Sequence, residues 1–460
     1  MAKIISDSPR SGTPVSRRGF LGLTAAGLLV PDPCQAQDPR AVVARIRPPR
    51  FPGRDFDVCG YGASDDGKTD CRAAFAKAIA ECHQAGGGRV VVPAGTYLSN
   101  GPIHLLSNVN FHVAEGATIR FGTNPADYLP CVLVRWESTR CYNYSPLVYA
   151  YKQENIAITG AGTLDGQAQT FWSKWKSGQA PDQDALREMG AKGVPVEKRR
   201  FGTGHFLRPC LCELYDCRNI LIEGVTMMRS PFWTMHPVFC TNVTIRRVHV
   251  LPGTTNDDGC DPDSSRDVLI EDCIFDTADD HIAIKAGRDR DAWGGRPCEN
   301  IVVRRCQGVS TKANAYTIGS EMSGGVRNVF ILDCTAGDAG KGVLNIKSNS
   351  DRGGVVENIW VRGVRADVGD YGIQLQTDYK GITGHPHPAL YRNFHFEDVR
   401  VKVARHAGIS SMGIPAKPIE SVFLKNVEIE KAAVALQIAE TGKIEMQNVR
   451  INGRLQRGTT

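Results

Sequence analysis

The residues Asn256-Asp257-Asp258-Gly259-Cys260-Asp261 are followed, 21 and 22 positions after Asp258, by Asp279-Asp280. A coil of stacked parallel strands takes about 22 residues or more, so this spacing places Asp258 beside Asp280 on adjacent rungs and gathers carboxylates on one face. Like charges held that close raise at least one pKa. The result is a protonated acid next to ionised bases, the equipment for cleaving a glycosidic bond. A single turn Asp usually caps backbone amides; three within one coil exceed that role.

The apolar residues phase the next strands of the same face as Ile284-Lys285, Ile318-Gly319, Ile346-Lys347 and Leu375-Gln376. Lys347 then lies two coils from the Asp pair, where an ammonium can bind a sugar carboxylate as a point charge. A solvated surface lysine is the plain alternative. Lys285 follows the Asp pair on its own strand and reads equally as a local counter-charge.

The elements that must position these groups are repeats. A polar residue, then apolar, any, apolar, then two residues and a small apolar one, recurs nine times, beginning at Asn219, Asn242, Asp267, Asn300, Asn328, Asn358, Asn393, Ser421 and Lys443 at spacings of 22 to 35 residues. Period-2 alternation inside each copy, with turn residues between copies, makes each a short strand with one buried face. The fold class is therefore all-β, a right-handed parallel β-helix whose equivalent side chains stack at roughly 4.8 Å per rung. An earlier coil starts at Asn155. The polar stretch between Phe171 and Phe206 lacks the pattern and reads as a long loop. Residues 69–82 instead carry Ala73, Ala74, Phe75, Ala78 and Ile79 at helical spacing behind Thr69 or Asp70 as cap, a short helix that shields one end of the stack.

Composition agrees. At 42% hydrophobic and 23% charged residues the chain is no disordered polymer, and 48 glycines without a collagen period suit many tight turns. Ser16-Arg17-Arg18-Gly19-Phe20-Leu21, an apolar run to Val30 and small residues near Ala36 resemble a twin-arginine export signal. That run is too short for a spanning helix. The organisation expected is a signal at 1–36, a linker at 37–54, the β-helix domain at 55–455 and a tail at 456–460. The net charge is +6, and removing a presequence with four basic and two acidic side chains leaves +4. Such mild basicity argues against nucleic acid as main partner. The mature chain is expected to be a periplasmic or secreted monomer off the membrane. Cys273, Cys306 and Cys334 share one repeat position and read as stacked core thiols; Cys210, Cys212 and Cys217 lack zinc-type spacing and read as buried or disulfide-bonded.

The motifs resemble glycoside hydrolase family 28, the polygalacturonase family, over roughly residues 55–455. The marks are Asn256 to Asp261, Asp279-Asp280-His281-Ile282-Ala283-Ile284-Lys285, Ile318-Gly319-Ser320-Glu321, Ile346-Lys347-Ser348-Asn349 and Gly162-Thr163-Leu164-Asp165-Gly166-Gln167. Arg135-Trp136-Glu137, Ser145 to Ala150 and Met322 to Asn328 resemble its bacterial exo-acting branch. The resemblance implies a pectin-lyase-like solenoid and inverting hydrolysis of a pectic poly- or oligosaccharide. In it Asp279 is the general acid, Asp258 and Asp280 activate water, and inverting carboxyls stand about 6.5 to 9.5 Å apart. Neither metal nor cofactor is implied. Asn256, Asp261, Lys347, Asn345 and Asn314 fall at substrate-binding positions.

Two departures stand out. Where the family usually carries a His before Ile-Gly-Ser, this chain has Lys312-Ala313-Asn314-Ala315-Tyr316-Thr317, so Ala313 or Asn314 takes that place. The family's Arg-Ile-Lys is Asn345-Ile346-Lys347, which loses the two-pronged partner of a uronate carboxylate and keeps the point charge. A differently substituted sugar then becomes plausible. A pectate-lyase-like eliminase would need a Ca2+ cage or a placed base, and a noncatalytic carbohydrate-binding β-helix would not need three retained carboxylates.

Overall fold

The computed structural model describes residues 38–380 and 386–458; the export-signal segment expected at 1–36 lies outside them. The repeats stack in register: Ile220, Val243, Val268, Ile301, Val329, Ile359, Phe394, Val422 and Ile444 face one another across successive parallel strands. All nine are buried. The polar residue opening most copies turns the chain. Asn219, Asn242, Asp267, Asn300, Asn328, Asn358 and Asn393 have φ between 55° and 61°, a left-handed conformation that Asn and Asp tolerate. Their side chains form a ladder in which each Asn Nδ2 donates to the preceding side-chain oxygen over 2.5 to 3.3 Å.

A second face of the coil carries the chemistry. Its strands are β1 (Ile103–His104), β2 (Val148–Tyr151), β3 (Cys212–Tyr215), β4 (Met235–Val238), β5 (Ile282–Ile284), β6 (Asn314–Ile318), β7 (Gly342–Lys347), β8 (Arg365–Gln376) and β9 (Arg400–Met412). Cys260 and Asp263 bridge β4 to the rung of β5. Ile284, Ile318, Ile346 and Leu375 are aligned, the phasing expected from sequence. Cys273, Cys306 and Cys334 are buried thiols, and every described cysteine, Cys210, Cys212 and Cys217 included, is free rather than disulfide-bonded.

Three helices decorate the stack. α1 (Pro39–Arg45) occupies the segment expected as linker: Asp38 accepts from Arg40 N at 2.8 Å, and Val42 with Ile46 packs on the outward-facing Leu269, Val302 and Phe330. α2 (Arg72–Gln84) is the expected capping helix, burying Ala74, Phe75, Ala78, Ile79 and Cys82. Asp70 takes Arg72 N at 3.0 Å and Asn100 N at 2.9 Å, tying the helix start to a neighbouring coil.

The stretch expected as a long loop is largely helical instead. A 3-10 segment (Trp172–Ser177) leads into α3 (Gln179–Lys192), which Gly193 ends in the left-handed conformation at φ 68°. Only Ala185, Leu186 and Met189 form its apolar stripe, packing with Val134, Trp136 and Phe201. That stripe is too narrow for the surrounding polar sequence to disclose. Among the described residues no helix is long and apolar enough to cross a membrane.

Candidate active site

A cleft of about 590 Å3 opens on the face formed by β4 to β8, lined among others by Asn256, Asp258, Asp279, Asp280, Asn314 and Lys347. A larger cavity of about 1140 Å3 lies elsewhere, along the outward rings of Trp360, His395 and Phe423. The chemistry-bearing residues are in the smaller one.

The turn before β5 explains the cluster. Gly259 packs so closely that a Cβ there would sit 2.4 Å from the Phe275 ring and 2.5 Å from His281 O, so only glycine lets Asp258 approach the next rung. The Asp257 carboxylate accepts from Gly253 N, Ala278 N and Asp279 N at 2.6 to 3.0 Å. It thereby fastens one catalytic turn to the other. Asp258, Asp279 and Asp280 each present an oxygen within 4.8 Å of the others. The Asp279 carboxylate accepts from Asp280 N at 3.0 Å and from Asn256 Nδ2 at 3.2 Å. Asn256 is itself fixed by Arg208 Nη2 at 2.9 Å and Lys176 Nζ at 3.1 Å.

Electrostatics divide the cluster. Burial opposes ionisation of Asp280, yet the charges of Lys347 and Lys285 and hydrogen bonds from Lys347 and Asn314 hold its pKa below the ordinary value. Burial and the neighbouring Asp280 charge raise Asp279. Burial, with Asp261 and Asp279 nearby, pushes Asp258 well up. Burial and like charge thus favour the protonated form of Asp258 and Asp279, while the lysines and Asn314 favour the anion at Asp280. Asp261 is fully buried, pushed up to about 7 by burial, and its oxygens accept no hydrogen bond among the described residues.

The two lysines have distinct duties. Lys285 Nζ sits 3.8, 3.5 and 3.4 Å from Asp258, Asp261 and Glu321 and 4.5 Å from the centre of the Trp233 ring, which makes it the counter-charge of the cluster. Lys347 Nζ donates to Asp280 Oδ2 at 2.9 Å and lies 5.4 Å from the Tyr379 ring centre. It reaches the cleft but is paired with Asp280 rather than free. Asp258, Asp279 and Asp280 also converge closely enough to hold a cation, and Lys285 and Lys347 supply positive charge beside two of them. The donors Cys210, Glu213 and His236 also converge. Burial opposes protonation of His236, but Asp263 and Glu213 lift its pKa to about 9.

The departures from the family pattern are resolved spatially. Asn314, not Ala313, faces the carboxylates: its backbone N and its Nδ2 donate to Asp280 Oδ1 at 2.9 and 2.6 Å. Asn345 is buried behind it, donating to Asn314 Oδ1 at 2.9 Å, and is absent from the residues lining the cleft. Sequence reading missed several groups on the walls. Arg187 and Lys192 come from α3, and Arg288 and Arg352 pair with Glu321 at 2.7 and 3.3 Å. The α3 residues carried no signal once the stretch read as loop. A buried Glu in the Ile-Gly-Ser-Glu motif, needing cationic partners, was a signal for the two arginines.

A β-helix whose cleft holds three clustered carboxylates beside two lysines has the groups a glycosidase needs. The chain matches the family described as Glycosyl hydrolases family 28 over residues 199–450, and residues 56–116 match Rhamnogalacturonase A/epimerase, pectate lyase-like. It is 37% identical to the exopolygalacturonase of Thermotoga maritima, whose structure superposes with a TM-score of 0.84 covering 92% of this chain and 98% of that one. A probable polygalacturonase of Vitis vinifera is 28% identical over 396 residues, 83% of this chain and 75% of its own length. An endo-polygalacturonase of Pectobacterium parmentieri is 26% identical over 361 residues, 77% of this chain and 82% of its own. The protein belongs to glycosyl hydrolases family 28 and is an O-glycosidase.

Proposed function

We propose that the protein is exported and hydrolyses pectic chains from one end, with inversion, using Asp279 as general acid and Asp280, with Asp258, to seat and activate water. The carrying observation is the division of charge within the carboxylate cluster: Asp280 is held ionised by Lys347 and Asn314 while Asp279 is raised. A proton donor must be protonated when the bond breaks and the base must not be. Asp258 borders the same pocket; the proton that the water releases goes to the Asp280 carboxylate while Asp279 gives its own to the departing sugar oxygen.

The pectic substrate is supported by the polygalacturonase names of the relatives and by the cations of the cleft, Arg187, Lys192, Lys341, Lys347 and Lys380. End-on cleavage is supported by the exopolygalacturonase similarity and by α3, whose Arg187, Glu188, Ala191 and Lys192 wall the cleft. Export by the twin-arginine route rests on Arg17-Arg18 and the short apolar run behind them. The proposed organisation remains a removable signal to residue 36 and one catalytic domain to residue 455, acting as a monomer without nucleic-acid or membrane partners.

Proton NMR of the first sugar released from galacturonan, rhamnogalacturonan and xylogalacturonan fragments tests the mechanism. Inverted anomer is expected, with rate falling about 10² to 10⁴ in D279N because the acid can no longer donate. Retained configuration, or near-normal turnover in D279N, overturns it.

A further inference from the structure

Three amide side chains stand on three consecutive rungs beside the anionic carboxylate. Gln376 Nε2 approaches Asn345 Oδ1 at 3.5 Å, Asn345 Nδ2 donates to Asn314 Oδ1 at 2.9 Å, and Asn314 Nδ2 donates to Asp280 Oδ1 at 2.6 Å. The strands fix this order, since Asn345 pairs in register with Thr317 on β6 and with Gln374 on β8. Asn314 and Asn345 are 2% and 4% exposed, so water does not compete for their amides.

We propose that Asn345 is a positioning residue for hydrolysis: acting through Asn314, it keeps the amide hydrogens of Asn314 aimed at Asp280. An amide has one accepting end and one donating end. If Asn314 turned over, its oxygen would face the Asp280 carboxylate, two acceptors in contact. Donation from Asn345 onto Asn314 Oδ1 blocks that turn, because the flipped Asn314 would set two donors against each other. The device replaces the direct uronate contact expected for a residue at position 345, and it deepens the proposed role of Asp280, on which it rests.

Other charged groups act on Asp280 too. Lys347 and Lys285 face it as cations, Asp258, Asp261 and Asp279 as carboxylates, and His281 precedes β5 beside it. The relay is therefore one contribution among several. Loss of one hydrogen bond to a buried carboxylate shifts its titration by about one unit.

The test is the pH dependence of kcat/KM in the wild type, N345L, N345D, N314A and N314A/N345L. N345L keeps the size and removes the donor; N345D keeps the shape, and when ionised it cannot donate. Each is expected to move the acidic limb up by about one unit, a loss of roughly tenfold in rate below the limb, with KM changed less than about twofold. In the N314A background N345L should add nothing. A raised KM with an unmoved limb would mean that residue 345 touches the sugar, and additive effects in the double variant would mean that it does not act through Asn314. Either result overturns the proposal. Carbon-13 NMR titration of labelled aspartates follows Asp280 without turnover. An Asp280 titration unmoved in N345L defeats the relay, whereas an absence of wild-type turnover defeats only the hydrolase reading.

Discussion

The asparagine ladder and the carboxylate cluster are built by the same rule and differ in outcome. Both place like side chains on adjacent rungs of one coil. In the ladder each amide donates upward and accepts downward, so Asn219, Asn242 and their successors satisfy one another. A carboxylate has only acceptors. Stacking Asp258 against Asp280 therefore costs repulsion and desolvation, offset by Lys285, Lys347 and a retained proton. The same register produces structural uniformity where the side chain is self-complementary and a reactive site where it is not. The Asn345 to Asn314 relay lies between the two, an amide ladder that ends on a carboxylate.

Removing the compensation should have the largest effect. In K285M the side chain still fills its place over Trp233, but Asp258, Asp261 and Glu321 lose their shared cation. A destabilisation of about 3 to 5 kcal/mol is expected from denaturant unfolding. A loss below about 1 kcal/mol would show that retained protons alone make the cluster tolerable.

Replacing an acid within the cluster should give a smaller, pH-dependent effect. The folded pKa of Asp261 is raised to about 7 from an ordinary value of 3.8, so its ionisation costs stability progressively as pH rises from about 4 to about 7. D261N removes that cost. Its stability relative to wild type should improve between pH 4.5 and pH 8 by an amount on the order of 1 kcal/mol or more. A pH-independent difference would remove Asp261 from the set of strained acids.

The smallest effect should come from the ladder. N300A deletes one amide that donates to Asp267 and accepts from Asn328 and strains a φ of 59°. About 1 to 2 kcal/mol should be lost, with kcat/KM retained. Loss of activity instead would mean that the ladder sets the register of the catalytic rungs.

The repeat was legible because its period is enforced at every rung: Asn or Asp where the backbone turns left-handed, apolar residues where the strand faces inward. The alignment of Ile284, Ile318, Ile346 and Leu375 followed from that period alone. So did the approach of Asp258 to Asp280, since one coil length separates them. Local sequence also carried α2, whose apolar stripe is long. It did not carry α3 or α1, whose apolar contacts are few and are made to residues distant in the chain, such as Val134 and Val302.

Sequence by itself thus determined the solenoid, the rung of the carboxylates and the class of chemistry, because each depends on periodic spacing along one chain. Only tertiary structure decided which carboxylate its neighbours favour as the anion, that Lys347 is paired with Asp280, and that Asn314 rather than Ala313 meets it. Ionisation depends on burial and on the summed charges of several rungs, and a side chain's direction depends on what its neighbours leave open. Neither quantity is written at any single position.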